Sequence, residues 1–443
     1  MAAVRNISPF LLVSAALATA PIGASAAEPP QLRGEITARY AAELDDGDAQ
    51  IAELLYEPEL TGRLNANLSY TVIGRVRYDA VDELEPGDPG AQANGRSSWN
   101  RRVFWGDDAD LELREAYIDA YAGSWFVRLG KQQVVWGQSD GLRVLDQINP
   151  LSFREFILGD FEDRRIPTWM LNAERVGAVT VQILWIPDTT YDEVPRDGAF
   201  AFTSSRFGPQ IPTDATTVSF NEGRRPDNAI TDSDVGLRLS GLLGGWDWSV
   251  NALYAYRDQP VFRRSDVAAT QYAFEPEFER SALFGASASN AFGKFTLRTE
   301  IGHQTDAFIA TASPAASDGV LETSETSGVV GLDYQHDADT LLSGQIFVSQ
   351  IADEVELAAR EQTTSTGSLL ASREMRNDLL KLEALLLHDF DEGDGLLQIS
   401  ARYNLTDAIT ARVGVDLFYG DADGLYGQFD ERDRATFALT YGF

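Results

Sequence analysis

Residues 63–78 alternate between apolar and polar side chains, and this pattern limits the possible folds more than any other feature of the chain. The even-numbered residues are leucine, alanine, tyrosine, valine and glycine. The odd-numbered residues are arginine, asparagine, serine and threonine, with Ile73 as the exception. Each such set of alternate residues, which share one face of a strand, is called a parity here. Successive side chains of a β-strand point to opposite faces, whereas a helix would distribute the apolar residues around its axis. The run exceeds the roughly 5–6 residues of an ordinary soluble strand and suits a tilted strand that crosses a bilayer.

The same alternation recurs along the whole chain and predicts the class of the fold. Clear copies lie at 235–240, 246–257, 294–301, 409–419 and 434–443. Weaker copies lie at 33–44, 50–60, 111–122, 125–135, 166–176, 178–186, 278–289, 327–335, 340–351, 377–388 and 395–403. With Ser365–Arg373 as one more strand the total becomes even, which predicts an all-β, transmembrane antiparallel up-and-down barrel of about 18 strands. A barrel of 16 strands remains open if 33–60 or 166–186 does not form two membrane strands.

The connections between the predicted strands alternate in length. Short turns lie at 123–124, 241–245, 290–293, 336–339 and 404–407. Long, acidic loops rich in glycine and proline lie at 79–110, 136–165, 187–232, 258–277, 306–326 and 420–433. Short turns at one rim and long loops at the other are typical of outer-membrane barrels. The alternative of a soluble carbohydrate-binding β-sandwich would need short loops at both ends.

The first 26 residues, 1–26, are predicted to form a cleaved signal peptide. Arg5 supplies the positive charge, residues 10–20 form a short apolar segment, and residues 24–26 provide a small-residue cleavage site. The alternative of a membrane anchor is disfavoured because the apolar segment is too short to span a bilayer. Residues 27–443 are therefore predicted to form one barrel in the bacterial outer membrane.

Composition excludes several functions. The 443 residues include no cysteine and carry a formal net charge of -32. The absence of cysteine excludes a disulfide scaffold and a thiolate metal site, and the negative charge argues against nucleic acid as a partner. The acidic runs 391–395 and 420–424 could bind calcium, but neither forms a full EF-hand loop, so solvated turns are the favoured interpretation. No metal and no cofactor are predicted.

The last ten residues, 434–443, alternate between an aromatic, apolar parity and a small, polar parity, and they end on Phe443. This pattern resembles the closing strand of bacterial outer-membrane barrels, which the barrel-assembly machinery recognises. The predicted partners are therefore this machinery, through Phe443, and the lipids of the outer membrane. The alternative is an edge strand of a soluble β-domain.

In a membrane barrel the polar parity faces the lumen, and here its charged members are mainly basic. The candidate selectivity residues of the wall are Arg75, Arg77, Arg128, Arg238, Arg298, Arg402 and Arg412. Charges outside a narrow pore are screened over about 8 Å at physiological salt, so nearby wall charges set the field. The sequence therefore predicts a wall that attracts anions, although the protein as a whole is acidic. The alternative is that these arginines pair with lumen acids and only brace the barrel.

The loop at 136–165 is unusually apolar for an exposed segment, so we expect it to fold into the lumen and to narrow the pore. The candidate constriction residues are Trp136, Asp140, Asp146, Asn149, Arg154, Glu155 and Asp163. The acidic members are predicted to face the basic wall across a gap, which would give a transverse field that selects polar solutes. The alternative is a loop packed over the outer mouth.

Three short motifs lie at the two ends of this loop and inside it: LGKQQVVWG at 129–137, DQINP at 146–150 and RRIP at 164–167. Together they resemble a largely uncharacterised family of porin-like outer-membrane proteins of Gram-negative bacteria. Proteins of that family carry a Leu-Gly-basic-Gln…Trp-Gly strand end and an Ile-Asn-Pro loop motif. The resemblance implies a barrel of about 18 strands and a role in transport, and it implies no particular substrate.

A barrel enzyme is the competing functional class. Such chemistry would normally need a base, and none of His303, His336 and His388 is predicted where a Ser–His pair could meet a substrate in the lumen. The sequence therefore predicts a channel, not an enzyme, that passes small polar solutes by diffusion, anionic or amphipathic ones among them. The alternatives are an outer-membrane barrel enzyme and a plugged specific transporter or exporter component. The sequence leaves the oligomeric state open.

Overall fold

The computed structural model describes residues 28–81, 95–106, 108–139, 141–195, 198–202, 208–221, 223, 225–268 and 270–443. The predicted signal peptide, residues 1–26, and Asp140 of the predicted constriction loop lie outside the described residues. The strands are β1 (Glu28–Glu43), β2 (Ala49–Asn65), β3 (Leu68–Asp79), β4 (Val103–Trp105), β5 (Ala109–Ala122), β6 (Trp125–Gln132), β7 (Thr168–Arg175), β8 (Thr180–Ile186), β9 (Thr217–Phe220), β10 (Asp234–Leu243), β11 (Trp246–Tyr256), β12 (Val261–Ala268), β13 (Gln271–Glu277), β14 (Arg280–Phe292), β15 (Phe295–Ala310), β16 (Val320–Gln335), β17 (Thr340–Ile351), β18 (Thr363–Met375), β19 (Leu380–Asp389), β20 (Gly395–Thr406), β21 (Ile409–Tyr419) and β22 (Arg434–Gly442).

Eighteen of these strands, as the described part of the chain shows, form a closed antiparallel barrel. Each barrel strand pairs with the next barrel strand along the chain, and β1 pairs with β22, with Ile36 opposite Tyr441, to close the ring. The extra strand β4 pairs with β5. The predicted fold of about 18 strands is confirmed. The alternative of 16 is wrong, because 33–60 forms β1 and β2, and 166–186 forms β7 and β8.

Short turns and long loops lie at opposite ends of the barrel, as the sequence predicts. The turns that join β2 to β3, β5 to β6, β7 to β8, β10 to β11, β14 to β15, β16 to β17, β18 to β19 and β20 to β21 lie at one end, called here the short-turn rim. Gly123 and Gly293 sit in two of these turns at φ values of 64° and 63°, where a side chain would be strained. The other end is called the loop rim.

One predicted loop contains regular structure. Segment 258–277 holds the hairpin β12–β13, and β9 pairs in parallel with β13, so that the three strands form a small sheet apart from the barrel. This hairpin packs near the β15–β16 connection, where Arg264 N donates a hydrogen bond to Asp318 O. Its strands are short, Pro260 precedes β12 and Pro276 lies near the end of β13, so their pattern resembles that of a loop.

The outer face of the barrel is apolar and exposed. Members of the apolar parity such as Leu64, Val72 and Ile301 are exposed by 53%, 37% and 55%. Monomeric soluble proteins rarely leave so continuous an apolar surface uncovered, whereas the lipid-facing band of a membrane barrel has this composition. Exposed aromatic residues lie near both rims, namely Trp125, Phe295 and Tyr441 at the short-turn rim and Tyr78 and Trp185 at the loop rim.

The described residues include a four-residue helix, α1 (Phe161–Arg164), and a 3-10 helix (Gly427–Arg432). In the described part of the chain, no helix combines the length and apolar character that crossing a bilayer requires. Both short helices lie in connections at the loop rim, one between β6 and β7 and the other between β21 and β22.

The apolar core lies inside the barrel, near the loop rim. Its largest cluster consists of Ala41, Ile51, Phe156, Leu158, Ala199, Phe200, Leu387, Leu396, Phe418, Tyr426 and Phe429. A second cluster includes Val134, Trp136, Ile148, Met170, Leu184, Ile186, Leu253 and Leu283, and a third includes Val144, Leu145, Val329 and Phe347. Part of the inward parity is therefore apolar where loops cover the wall, which differs from the polar wall that the sequence predicts.

Candidate functional site

Residues 133–167, which connect β6 to β7 and are called here the inward loop, fold into the lumen as predicted. Asn149 of the DQINP motif holds the two ends of this loop together. Its Oδ1 accepts a hydrogen bond from Val134 N at 2.8 Å, and its Nδ2 donates to Gln132 O at 3.3 Å and to Ile166 O at 3.1 Å. Since Asn149 is 1% exposed, these bonds satisfy its amide in a site without water competition and fix the base of the loop.

Two lobes extend from this base. Gly137 and Asp146 approach each other so closely that a Cβ on Gly137 would lie 3.1 Å from Asp146 Cβ, which delimits a short lobe at 138–145. Ser152 N donates a hydrogen bond to Arg164 O at 2.7 Å, which delimits a long lobe at 153–163. Each lobe begins and ends at a narrow neck, so the loop is two compact projections and not an open strap.

The short lobe is seated in notches that glycines leave in the wall. Trp136, at the neck of this lobe, is fully buried; its Nε1 donates to Gln182 Oε1 at 2.7 Å, and its ring lies so close to Gly236 that a Cβ there would approach it to 2.8 Å. Leu145 occupies the space above Gly285 of β14, where an added Cβ would overlap its methyl group. These glycines explain how bulky loop residues reach the wall.

The long lobe is held by charge at the opposite side of the barrel. Glu155 accepts hydrogen bonds from Arg39 of β1 at 2.7 Å and from Arg434 of β22 at 2.9 Å. Its neighbour Arg154 donates to Glu53 at 2.7 Å and to Asp79 at 2.9 Å. Because β14 lies nine strands from β1 in a ring of eighteen, the inward loop spans the full width of the lumen.

These ion pairs are fixed in the charged state. Burial alone would raise the pKa of the Glu155 carboxyl, but Arg39, Arg434 and Arg154 together lower it well below its usual range. Glu155 therefore stays ionised at neutral and mildly acidic pH. Removing Glu155 would leave Arg434 with Asp416 at 2.8 Å and Arg39 with Glu53 at 3.5 Å as the remaining counter-ions, and breaking a buried ion pair from one side is costly.

The two remaining predicted acids of the loop that the structure describes, Asp146 and Asp163, make direct contacts and do not face the wall across a gap. Asp163 Oδ1 accepts a hydrogen bond from Arg75 Nη2 at 2.8 Å, and Asp146 Oδ2 accepts one from Arg165 Nε, within the loop itself, at 2.9 Å. The loop is therefore docked on the wall through Asp163, whereas Asp146 holds the loop to itself.

Aromatic side chains from three loops fill the mouth. Phe156 of the long lobe lies 4.7 Å from Phe429, between ring centroids, and 6.2 Å from Phe418 of β21. Phe200, from the connection between β8 and β10, lies 5.5 Å from Phe429. The sequence shows that these loops contain phenylalanine, but it does not show that the rings of different loops meet.

A second buried ion network, which sequence reasoning missed, ties the other long loops to the wall. Arg96 pairs with Glu112 at 2.7 Å and with Glu193 at 3.2 Å, and Arg102 pairs with Glu193 at 2.9 Å and with Asp110 at 3.1 Å. Burial would raise the pKa of Glu193, but Arg102 and Arg96 lower it to about 2. The partners lie up to 97 residues apart in the chain, so no local pattern marks them.

The seven predicted wall arginines divide into two groups. Four are neutralised by close acids: Arg75 by Glu57 at 2.8 Å, Arg77 by Asp110 at 3.3 Å, Arg128 by Asp119 at 2.7 Å and Arg298 by Asp333 at 2.9 Å. Arg238 and Arg402 have no ion-pair partner among the described residues, and Arg412 has only Asp160, at 4.0 Å. The three open arginines lie on strands β10, β20 and β21.

The acidic runs 391–395 and 420–424 meet in the structure. Asp394 is fully buried, and its Oδ2 accepts hydrogen bonds from Tyr426 N at 2.7 Å and from Gly427 N at 3.2 Å. The carboxylate therefore fastens the last loop to the β19–β20 connection. Among the described residues, no group of three or more histidine or acidic side chains is placed to hold a metal ion.

A closed barrel with an apolar outer face and a loop across its lumen defines a transmembrane β-barrel protein. The chain belongs to the family described as protein of unknown function DUF1302, whose profile matches residues 44–378. The expected membership of a family without an assigned function is thus confirmed. No curated protein matches the chain by sequence.

Solved porin structures resemble the chain at low similarity. Salmonella typhi OmpF, in a complex with daunomycin, is 11% identical with a TM-score of 0.41, over 94% of this chain and 97% of that one. A triple mutant of the Rhodopseudomonas blastica porin is 11% identical with a TM-score of 0.41, over 94% of this chain and 100% of the porin. At these values the likeness carries no argument about the function of this chain.

Proposed function

We propose that the protein is an outer-membrane channel that passes small polar solutes by diffusion and prefers anions. The observation that carries this proposal is the set of open arginines. Arg238, Arg402 and Arg412 have no close counter-ion among the described residues other than Asp160 at 4.0 Å from Arg412. The other four predicted wall arginines are compensated by acids at 2.7 to 3.3 Å, so they contribute little field beyond their own pair.

The position of the open arginines supports the same direction of selectivity. Arg402 and Arg412 are cross-strand neighbours in the halves of β20 and β21 next to the short-turn rim, and Arg402 is exposed. Two cations side by side on a wall raise the local concentration of anions. The net charge of -32 does not oppose this field inside the lumen, since distant charges are screened by salt.

The proposed location is the outer membrane, with lipid covering the apolar outer face. The closing strand supports this proposal, since its apolar parity is exposed along β22 and ends at Phe443, which stacks near Tyr56 at 6.0 Å between ring centroids. Recognition of this terminal strand by the barrel-assembly machinery is part of the proposal.

Reversal potentials across a planar bilayer with a KCl gradient test the channel. We expect an anion-selective current through the purified protein. The double variant Arg402→Glu with Arg412→Glu should shift the reversal potential toward the cation side, because it reverses two open charges. The matched control is Arg128→Gln with Asp119→Asn, which removes a neutralised pair and should leave the reversal potential unchanged. A cation-selective wild-type current would overturn the proposed preference.

A plugged specific transporter is a second candidate, and the span of the inward loop favours it. The loop reaches Gly285 of β14 on one side and Arg39 of β1 on the other. Conductance distinguishes the two functions: a channel conducts as the wild type, whereas a plugged transporter conducts only after the long lobe, 153–163, has been replaced by a short glycine linker between residues 152 and 164.

A further inference from the structure

We propose a binding subsite for a small hydroxycarboxylate on the lumen wall, formed by Arg238 and Asn251. The two residues are cross-strand partners on β10 and β11, and both belong to the inward parity. The subsite rests on the proposed channel function, because it gives that channel a solute class and a place of contact.

Asn251 provides the first observation. It is 2% exposed, and neither its Nδ2 nor its Oδ1 has a hydrogen-bond partner among the described residues. Leaving a buried amide without partners costs about 1–3 kcal/mol for each polar group, so such a side chain in a native protein normally meets a water or a ligand. The amide presents one donor group and one acceptor to whatever occupies the site.

Arg238 provides the second observation. Its guanidinium forms no ion pair or hydrogen bond with any described residue, and its buried Nε also lacks a partner. The side chain is half-buried, so it can be reached from the lumen. An unpaired guanidinium of this kind matches a carboxylate, which can accept two parallel hydrogen bonds from it.

The surroundings are small and polar toward the short-turn rim. Ser249 and Ser287 bond to each other at 2.8 Å, and Gly285 lies opposite Asn251 on β14. On the other side, Trp136 and Leu145 of the inward loop rest on Gly236 and Gly285. The subsite therefore lies at the edge of the inward loop that faces the short-turn rim, so a solute arriving from that rim would meet the subsite first.

The acids around Arg238 limit the charge of the ligand. Asp247, Glu174 and Glu300 act on the guanidinium through their charge, and none of them is in contact with it. They favour a ligand with one negative charge over one with several. A carboxylate would accept hydrogen bonds from Arg238 and from the Asn251 amide, and a neighbouring hydroxyl would donate to Asn251 Oδ1. The matching chemistry is a small 2-hydroxymonocarboxylate.

Calorimetric titration of the detergent-solubilised full chain with glycolate tests the subsite. Acetate, which lacks the hydroxyl, should bind more weakly than glycolate, and ethylene glycol, which lacks the carboxylate, should give no heat of binding. Arg238→Gln and, separately, Asn251→Leu should weaken glycolate binding roughly tenfold or more, since each removes charge-assisted hydrogen bonds. Arg128→Gln with Asp119→Asn serves as the control and should retain wild-type affinity.

Folding of each variant is checked by the heat-dependent shift of the barrel on a gel. If Asn251→Leu does not fold, Asn251→Ala replaces it. Absence of glycolate binding to the wild type would show that the Asn251 amide holds only water, and equal binding by wild type and variants would place the ligand elsewhere; either result overturns the subsite. Glycolate binding without any conductance would overturn the channel and keep the subsite, whereas conductance without binding would do the reverse.

Discussion

The two halves of the lumen are built from the same wall and differ in what covers it. Near the loop rim the inward parity is apolar or ion-paired, as in Phe418 and Glu53, and it is buried by three loops. Toward the short-turn rim the same parity carries Arg402 and Arg412, which remain exposed or half-exposed. The difference shows that partners, and not residue type, decide whether a lumen arginine holds structure or sets a field.

Arg75 and Arg402 illustrate this division. Arg75 is 6% exposed and lies between Glu57 and Asp163. These two acids neutralise its charge, and the pair with Asp163 attaches the inward loop to the wall. Arg402 is exposed, and no described residue pairs with it. Removing one partner of a buried ion pair strongly lowers the stability of the fold, because the other charge stays buried. Removing an exposed charge changes the stability little, but it changes the electric field in the lumen.

Excision of the long lobe should have the largest effect, because it would remove the main difference between the two halves of the lumen. Replacing residues 153–163 by two glycines joins residues 152 and 164, which already share a hydrogen bond at 2.7 Å. Single-channel conductance should rise roughly two- to fivefold, because a barrel of this strand number leaves an aqueous channel when nothing fills it. An unchanged conductance would show that the ions do not pass on the side of the lumen that this lobe occupies.

Glu155 and Arg402 give the sharpest contrast in stability. Glu155→Gln should lower the free energy of unfolding by about 3 kcal/mol, since the buried Arg434 and the half-buried Arg39 lose a shared counter-ion that Asp416 and Glu53 replace only in part. Arg402→Gln should change it by less than about 0.5 kcal/mol, because the side chain is exposed. Urea unfolding in detergent, followed by tryptophan fluorescence, measures both. Equal effects for the two substitutions would remove the distinction between the halves.

Protonation of Glu193 at low pH should lower the stability of the half of the barrel near the loop rim. Its pKa is lowered from 4.5 to about 2 by Arg102 and Arg96 against the effect of burial, so its contribution is complete above pH 4.5 and is lost as the pH falls through 2. Wild type should exceed Glu193→Gln in stability by roughly 2–3 kcal/mol at pH 7, and the two should converge near pH 2. A difference that stays constant over this range would refute the ionic explanation.

Filling the space at Gly236 should have the smallest effect of these changes, and it tests how the short lobe packs against the wall. Gly236→Ala places a methyl group 2.8 Å from the rigid ring of Trp136 and should lower the free energy of unfolding by roughly 1–3 kcal/mol. Gly442→Ala is the control, since its added Cβ would meet nothing within 4 Å. The emission of Trp136 should also shift to longer wavelength as the ring gains water.

The strands and the inward course of the loop follow from the sequence, because alternation and apolar content are local properties. Segment 365–373 shows this well, since the evenness of the strand number predicts it and β18 confirms it. Parity alone cannot separate Leu253 from Asn251, which share the inward face of β11, since Leu253 belongs to an apolar cluster that includes residues of a distant loop such as Ile148. Ion-pair partners are equally distant, as Arg154 and Glu53 are 101 residues apart.

The seam of the ring gives the inward loop one further property. Arg39 belongs to the first barrel strand and Arg434 to the last, and Glu155 binds both. The carboxylate can hold its two guanidinium partners only when the beginning and the end of the chain have met. Docking of the long lobe is thus linked to completion of the cylinder, and an unfinished barrel would lack the anchor that keeps its entrance filled.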